Sequence, residues 1–469
     1  MRDPIVVTAQ GAVRGTHTTD ADVYLAIPYA APPTGAGRFA APRSHEPWQG
    51  VRDATQPGPT APQQRRDGFG LLDMSPFFGP GWIPGPDYLT VNVWAPPGGE
   101  RQPVMLFVHG GGFVSGSPFS PLYDGTAFAR DGVVLVTVTY RLGIPGFLDV
   151  PGAPANRGLL DVLAALRWVQ ANIAAFGGDP GNVTLFGQSA GATITAGILA
   201  TPGVQSVMRR AIMQSGNGLG AFSPQQAGRV TAAAATELGI APTVEGFAGL
   251  SEERLIDVVP KLAGLDLRTD DRFDPLVGLS PFSLVAERQP AQSVNPAVGL
   301  LIGTTSEEGN LYLAPQGRLD DSTSADVHDL AVRVDADPAA LVDRYRARHP
   351  DASWGELRST ILADALFRTG TERLADAHTQ HGETPTHRYQ FEWRSGALDG
   401  RLGAAHSMEL PFVFDRLDLD TLRGPRALLG PDRPPAALAA QMHSAWVRYA
   451  GTGDPGWSPT VTRRFTGSD

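Results

Sequence analysis

Ser189 closes the stretch Val183-Thr184-Leu185-Phe186-Gly187-Gln188-Ser189-Ala190-Gly191-Ala192, an apolar strand ending in a serine with a glycine two residues away on each side. The spacing Gly-x-Ser-x-Gly sets a hydroxyl at the tip of a tight strand-to-helix turn, lifted clear of the backbone, where a base and a substrate both reach it. Only small residues fit at the flanks, because strand and helix nearly touch there and the turn is strained. Such a hydroxyl attacks a carbonyl once a base removes its proton and donors stand ready for the oxyanion that forms. The donors are upstream. Residues 103–108 read as a buried strand running into His109-Gly110-Gly111-Gly112-Phe113, and consecutive glycines leave backbone N–H groups uncovered for a ligand oxygen. A further N–H belongs to Ala190, the residue after the serine.

A nucleophilic serine also needs a histidine base and a carboxylate to orient it. The chain holds 10 histidines. His406 follows Gly403-Ala404-Ala405 and precedes Ser407-Met408-Glu409-Leu410-Pro411-Phe412, a context that suits an imidazole held on a loop against a packed floor. His349, His378, His381 and His387 lie among polar and charged residues and read as solvated. His17 and His45 sit in turn-like contexts, and His328 lies in an acidic stretch. His443 reads as structural in a late amphipathic helix, and His109 as a shaper of the glycine loop. The carboxylate comes from the turn Thr304-Thr305-Ser306-Glu307-Glu308-Gly309, just beyond the apolar run 298–303. Acidic groups at the carboxyl end of a parallel strand sit where active sites form. Serine, acid and histidine then follow in the chain order of α/β-hydrolases.

Other motifs stand around these residues in a fixed order. Ala26-Ile27-Pro28-Tyr29, Arg38-Phe39 and Pro47-Trp48-Gln49-Gly50 come first, then Leu89-Thr90-Val91-Asn92-Val93-Trp94 and Tyr140-Arg141-Leu142-Gly143. Gly158-Leu159-Leu160-Asp161, Leu166-Arg167-Trp168-Val169-Gln170, Phe176-Gly177-Gly178-Asp179-Pro180, Gln214-Ser215-Gly216 and Gly453-Asp454-Pro455 complete the series. Nearly the whole chain thus resembles the type-B carboxylesterases, the serine esterases that include the cholinesterases and bacterial para-nitrobenzyl esterases. The resemblance implies Ser189 as nucleophile, His406 as base, and Gly111, Gly112 and Ala190 as the oxyanion hole. It selects Glu308, the glutamate directly before a glycine, over Glu307. It makes Ser215 a serine beside the triad that hydrogen-bonds its network, against the plainer role of capping a strand end. The chain also departs from the family. Pro86-Asp87-Tyr88 stands where relatives carry Glu-Asp-Cys, which removes the usual partner of Arg38; Val162 replaces a Gln, and Pro275-Leu276-Val277-Gly278-Leu279 lacks an Asp-Gly pair.

Alternating strands near 104–108, 133–139, 183–187, 210–213, 298–303 and 387–393 with helical segments predict a mostly parallel doubly wound sheet, and the resemblance implies that it is an α/β-hydrolase fold. Leu160, Leu163, Leu166, Val169 and Ile173 recur at helical spacing, the mark of a helix packing one face on that sheet. The Ala-rich, strand-poor segments at about 218–295 and 313–380 read as helical insertions forming a gorge over the site, within one catalytic domain over residues 1–469. The Pro/Gly-rich stretch 74–87 reads as a long irregular loop at the gorge rim. Phe77, Phe78, Phe113, Phe119 and Phe282 are candidates for its apolar lining.

With 469 residues at 42% hydrophobic content the chain buries a large core, while a net charge of −10 argues against nucleic-acid and anionic-membrane partners. There is no cysteine, the first residues lack the apolar core of a signal peptide, and no stretch approaches 18 apolar residues, so the expected location is the cytoplasm. The expected function is that of a serine carboxylesterase acting on small-molecule esters through an acyl-enzyme, with no metal or organic cofactor. Its activity should fall as pH drops through about 6–7, where a histidine base becomes protonated. Oligomeric state has no signature in the sequence. Three other readings share part of the pattern. Hormone-sensitive-lipase-like esterases place acid and base close together late in the chain, unlike Glu308 and His406. Non-catalytic binding relatives lose the serine that is kept here. Carbamate, amide or thioester hydrolysis uses the same triad and differs in leaving-group contacts.

Overall fold

The computed structural model describes residues 3–467. Its main sheet has ten strands: β1 (Thr16–His17), β2 (Asp22–Pro28), β3 (Thr90–Ala95), β4 (Gln102–Val108), β5 (Val134–Val138), β6 (Gly178–Gln188), β7 (Arg210–Gln214), β8 (Gly299–Thr305), β9 (Thr386–Phe391) and β10 (Thr462–Phe465). They lie side by side in the order β10-β9-β8-β7-β6-β4-β5-β3-β2-β1. Neighbours from β10 to β5 run parallel, and β3, β2 and β1 extend the sheet antiparallel. The parallel strands are near-continuous apolar runs because both faces are covered. In β4, Val104, Leu106 and Val108 enter one hydrophobic cluster while Met105 and Phe107 enter another on the opposite face.

Helix α1 (Arg157–Asn172) lays Val162, Leu166 and Val169, all fully buried, into the first of these clusters. Val162, in place of the family's Gln, is therefore an ordinary core residue. Together with the turn Ile173–Phe176, α1 makes a 20-residue segment containing an 18-residue window of mean hydropathy 1.3, apolar enough by composition to cross a membrane. It is a core helix packed on β6.

Between β7 and β8 stand the helices Pro224–Leu238, Val244–Ala248 and Glu252–Asp257; between β8 and β9 stand Ser324–Val334, Pro338–Arg348, Trp354–Ala363 and Thr369–His381. The second group has its own apolar cluster around Leu330, Leu341, Leu357, Ile361 and Leu366. Side-chain caps define where several of these helices begin: Ser223 and Gln226, Thr323 and Asp326, and Ser353 and Glu356 each close a reciprocal capping box.

Several expectations are corrected. Arg38 does have a carboxylate partner, Glu252 at 2.8 Å, and also donates to Leu250 O at 2.7 Å, so a segment far away in sequence replaces the missing family residue. His378 and His387 are buried rather than solvated, at 0% and 4% exposure. The inner face of Thr369–His381 carries His378 between Thr386 Oγ1 (2.7 Å) and Val298 O (2.8 Å), and burial lowers its basicity. The stretch 74–87 is not wholly irregular. It opens with a helical turn, Ser75–Phe78, whose Phe77 and Phe78 are buried. Gly278 sits in a tight turn at φ +80°, its N–H donating to the buried Asp274 carboxylate at 2.6 Å.

Candidate active site

The predicted site residues leave the carboxyl ends of neighbouring parallel strands. Gly111 and Gly112 follow β4, Ser189 and Ala190 follow β6, Ser215 follows β7, Glu308 lies just beyond β8, and His406 stands on the longer connection after β9. Sheet order, not chain order, brings them together.

At the elbow, Ser189 has φ 57° and ψ −124°, a strained conformation for a residue with a side chain. Two backbone bonds over-determine it: Ser189 N–H donates to Gln214 O at 2.9 Å, and Ser189 O accepts from Thr193 N–H at 2.9 Å. The flanking glycines leave no room for alternatives. A Cβ on Gly191 would lie 2.0 Å from Val108 O, and one on Gly187 would lie 2.5 Å from the backbone of Gly191. Helix α2 (Ala190–Leu199) starts directly after the serine, so the Ala190 N–H is one of the orphan donors of its first turn. In the glycine loop, Gly111 (φ 117°) and Gly112 (φ 64°) both lie where side chains are disfavoured, and a Cβ on Gly111 would meet Ser115 O at 1.9 Å. The turn closes through Val114 and Ser115 N–H groups on Gly111 O. His109 shapes the loop from below, buried and stacked on Tyr140 with centroids 4.5 Å apart. Burial pushes the His109 imidazole down to about 4, so it is neutral there.

Glu308 and His406 are in direct contact. His406 Nδ1–H donates to Glu308 Oε2 at 2.5 Å, and both side chains are almost fully buried. The other carboxylate oxygen accepts from Ser215 Oγ at 2.6 Å and from Thr305 N–H at 2.7 Å, so the carboxylate is fixed on both sides. Glu307 points elsewhere, to the Ala404 N–H at 2.9 Å and to Arg394. The far ring nitrogen, His406 Nε2, lies 3.2 Å from the side-chain amide nitrogen of Gln188, whose amide also donates to Ser407 Oγ at 2.9 Å. Ser189 and His406 line the same cavity but share no hydrogen bond among the described residues. Contacts of this kind tighten when a substrate is bound. The cavity is also lined by Gly111, Gly112 and Ala190, and its walls include Phe77, Phe78 and Phe113. Phe119 and Phe282, the other lining candidates, are not part of it.

The whole chain matches one family. Residues 2–465 fit the carboxylesterase family. The para-nitrobenzyl esterase of Bacillus subtilis is 35% identical, over 97% of this chain and 91% of its own, and phenmedipham hydrolase of Pseudarthrobacter oxydans is 35% identical over 96% and 90%. The crystal structure of a Geobacillus stearothermophilus carboxylesterase superposes with a TM-score of 0.83 at 32% identity, covering 99% of this chain and 96% of that one. The chain belongs to the carboxylesterase family. It is a serine ester hydrolase of the α/β-hydrolase fold, as its resemblance to the type-B carboxylesterases implied.

In this carboxylesterase three further side chains that the sequence did not single out act on the proposed machinery, two by contact and one through its charge environment. Gln188 is one. Phe367 is the second, its ring stacked on His406 with centroids 4.2 Å apart and planes 15° from parallel. It rides on a π-helical turn, Asp364–Arg368, inside the second insertion. Glu409 is the third. It is fully buried; burial first and the Glu308 charge second push its carboxyl up to about 7. Oε1 of Glu409 accepts from Gln214 Nε2 at 3.1 Å, Trp446 Nε1 donates to Gln214 Oε1 at 3.1 Å, and Glu409 Oε2 has no partner among the described residues. Gln188, next to the serine in the elbow, and Glu409, three residues past His406 in the same motif, both have a readable position in the sequence; Phe367 has none. No group of His, Cys, Asp and Glu side chains suited to holding a metal ion occurs among the described residues.

Proposed function

We propose that this carboxylesterase cleaves small, largely apolar carboxylic esters through an acyl-enzyme on Ser189. His406 takes the hydroxyl proton as Ser189 attacks the ester carbonyl, and Glu308 holds the imidazole with Nε2 unprotonated toward the cavity. The tetrahedral oxyanion is held by the N–H groups of Gly111, Gly112 and Ala190, which act in a site with little water to compete. His406 then passes the proton to the leaving alcohol, and a water molecule repeats the sequence to release the acid. In this reading the chain acts as one catalytic unit, with the segments at about 218–295 and 313–380 as insertions that wall the site.

The single observation that carries the reading is the short bond from His406 Nδ1 to a carboxylate anchored by Ser215 and Thr305, in the same cavity as an elbow serine and the glycine loop. The test is turnover of a chromogenic 4-nitrophenyl ester by wild type and by Ser189→Ala. Loss of the serine should cost a factor of order 10⁶ in kcat. Turnover largely kept in the variant would show that Ser189 is not the nucleophile. A panel varying acyl and alcohol length, with carbamate, amide and thioester counterparts, then ranks the bonds it cleaves.

A further inference from the structure

The cavity that holds Ser189 and His406 contains one full positive charge and no carboxylate. Arg66 is the only Lys, Arg, Asp or Glu among its described lining residues, and its neighbours there include Phe69, Phe78 and Tyr312. The guanidinium carbon stands 4.0 Å from the ring centroid of Phe69 and 4.9 Å from that of Phe78. Those rings hold the cation through their π faces and use none of its N–H donors. Among the described residues Arg66 has neither a hydrogen-bond nor an ion-pair partner, whereas the preceding Arg65 is paired outward with Asp67 at 2.7 Å.

The three arginines that are buried among the described residues are all answered. Arg141 is met by Asp161 and three carbonyls, Arg157 by four carbonyls, and Arg210 by Asn182 and Ala450 O. Burial works against the charge on Arg66 and lowers its basicity. Arg66 borders both this cavity and a neighbouring one that Glu252 also lines, and a partly buried cation with its planar fork of donors unpaired beside an apolar cavity is arranged to meet a planar, bidentate anion.

We propose that Arg66 is a specificity-determining residue that selects esters carrying a second, ionised carboxylate, such as monoesters of dicarboxylic acids or esters of hydroxyaryl carboxylic acids. This rests on the reading of Ser189 as an esterase nucleophile. The carboxylate docks on the guanidinium while an apolar spacer lies along the aromatic wall, and the ester carbonyl reaches the serine.

The test uses the full-length enzyme and two matched pairs of esters. On the acyl side, 4-nitrophenyl hydrogen adipate is compared with 4-nitrophenyl heptanoate; on the alcohol side, 3-carboxyphenyl butyrate is compared with phenyl butyrate. Arg66→Met should lower kcat/KM for at least one carboxylate ester by roughly 10- to 100-fold, mainly through KM. The neutral partner should change by no more than about threefold. Arg66→Lys should restore part of the loss, and the responding pair shows which end of the ester faces Arg66. Equal effects of Arg66→Met on both members of both pairs would reduce Arg66 to a packing residue and overturn the proposal. Should the variants fail to fold, wild type decides: adipate should inhibit it competitively at lower concentration than heptanamide, and the reverse order sinks the idea. Failure of the underlying esterase reading looks different, because neutral esters would then be left uncleaved or would still be cleaved by Ser189→Ala.

Discussion

Among the described residues, two contacts between a carboxylate and a basic side chain are almost wholly buried, and they are finished in opposite ways. In the first, Asp161 receives Arg141 through Nη2 at 2.7 Å, Nε at 2.8 Å and the backbone N–H at 3.0 Å, while Nη1 spreads over the carbonyls of Gly37, Arg38 and Ala40. Both side chains are at 0% exposure, and neither has an unpaired polar atom among the described residues. In the second, Glu308 is equally well fixed by Ser215, Thr305 and His406, but the imidazole has its Nε2 side toward a cavity. A buried charge is tolerated when its hydrogen-bonding capacity is filled. Arg141–Asp161 is filled and has nothing left to offer a ligand, so it ties the N-terminal segment to the strand end beside the glycine loop. On the His406 side the far ring nitrogen meets only the neutral Gln188 amide, at 3.2 Å beside the cavity, a contact that a reacting hydroxyl can replace. Saturation by charged partners marks scaffold; a ring nitrogen held only by an exchangeable neutral amide at a cavity marks a site.

Removing charge from each contact should therefore give opposite phenotypes. Glu308→Gln keeps the shape but cannot hold His406 in the right tautomer or balance its cation. We expect kcat to drop by a factor of order 10⁴ with little change in melting temperature. A loss below tenfold would mean that Glu308 does not serve the histidine. Arg141→Met does the reverse. It strands the Asp161 carboxylate in the core, and the expected cost is about 3–5 kcal/mol of stability, seen as a lower urea midpoint, while kcat per folded molecule stays within a few-fold. Activity lost without a stability loss would erase the distinction between the two contacts.

Glu409 sharpens the contrast through pH. Its folded carboxyl keeps its proton up to about 7, whereas the unfolded chain releases it near 4.5. Between those values the folded state binds more protons, so this group's stabilising contribution is complete below the unfolded value and disappears as pH rises through the folded one. Glu409→Gln cannot titrate. The stability of wild type minus that of the variant should fall by about 3 kcal/mol between acid and mildly alkaline pH. Denaturant midpoints taken across that range give the difference curve directly, and a flat or rising one would place the proton elsewhere.

What the sequence disclosed follows from what was local. Gly187-x-Ser189-x-Gly191 and the glycines after β4 are constrained by backbone contacts within their own turns and the strand ends beside them, so residue type alone exposed them. The strands were equally legible, because both faces are buried and the runs are continuously apolar. The losses came from contacts between distant segments. Glu252 replaces a missing partner of Arg38 from an insertion whose path no spacing reveals. Phe367 reaches His406 from a π-helical turn inside an insertion, and His378 reads as polar surface until the helix bearing it docks on β8 and β9.

The finest test of the contrast is Ser215, read from the sequence as either a network serine or a strand-end cap. Its hydroxyl donates to Glu308 Oε1 at 2.6 Å, but the same oxygen keeps the Thr305 N–H at 2.7 Å when the serine is gone. Ser215→Ala therefore weakens the anchor without freeing the carboxylate. A hydrogen bond to a charged acceptor is worth about 1.5–3 kcal/mol, and retention of the second donor moves the expectation to the lower end. We expect kcat to fall roughly tenfold with KM unchanged, since substrate binding does not use this bond. Ser215 also sits at φ 51°, so Ser215→Gly removes the hydroxyl and relaxes the backbone together. If the hydroxyl matters for Glu308, both variants lose kcat alike although the glycine form has the less strained turn. If Ser215 only terminates its strand, the two should differ in melting temperature and agree with wild type in kcat.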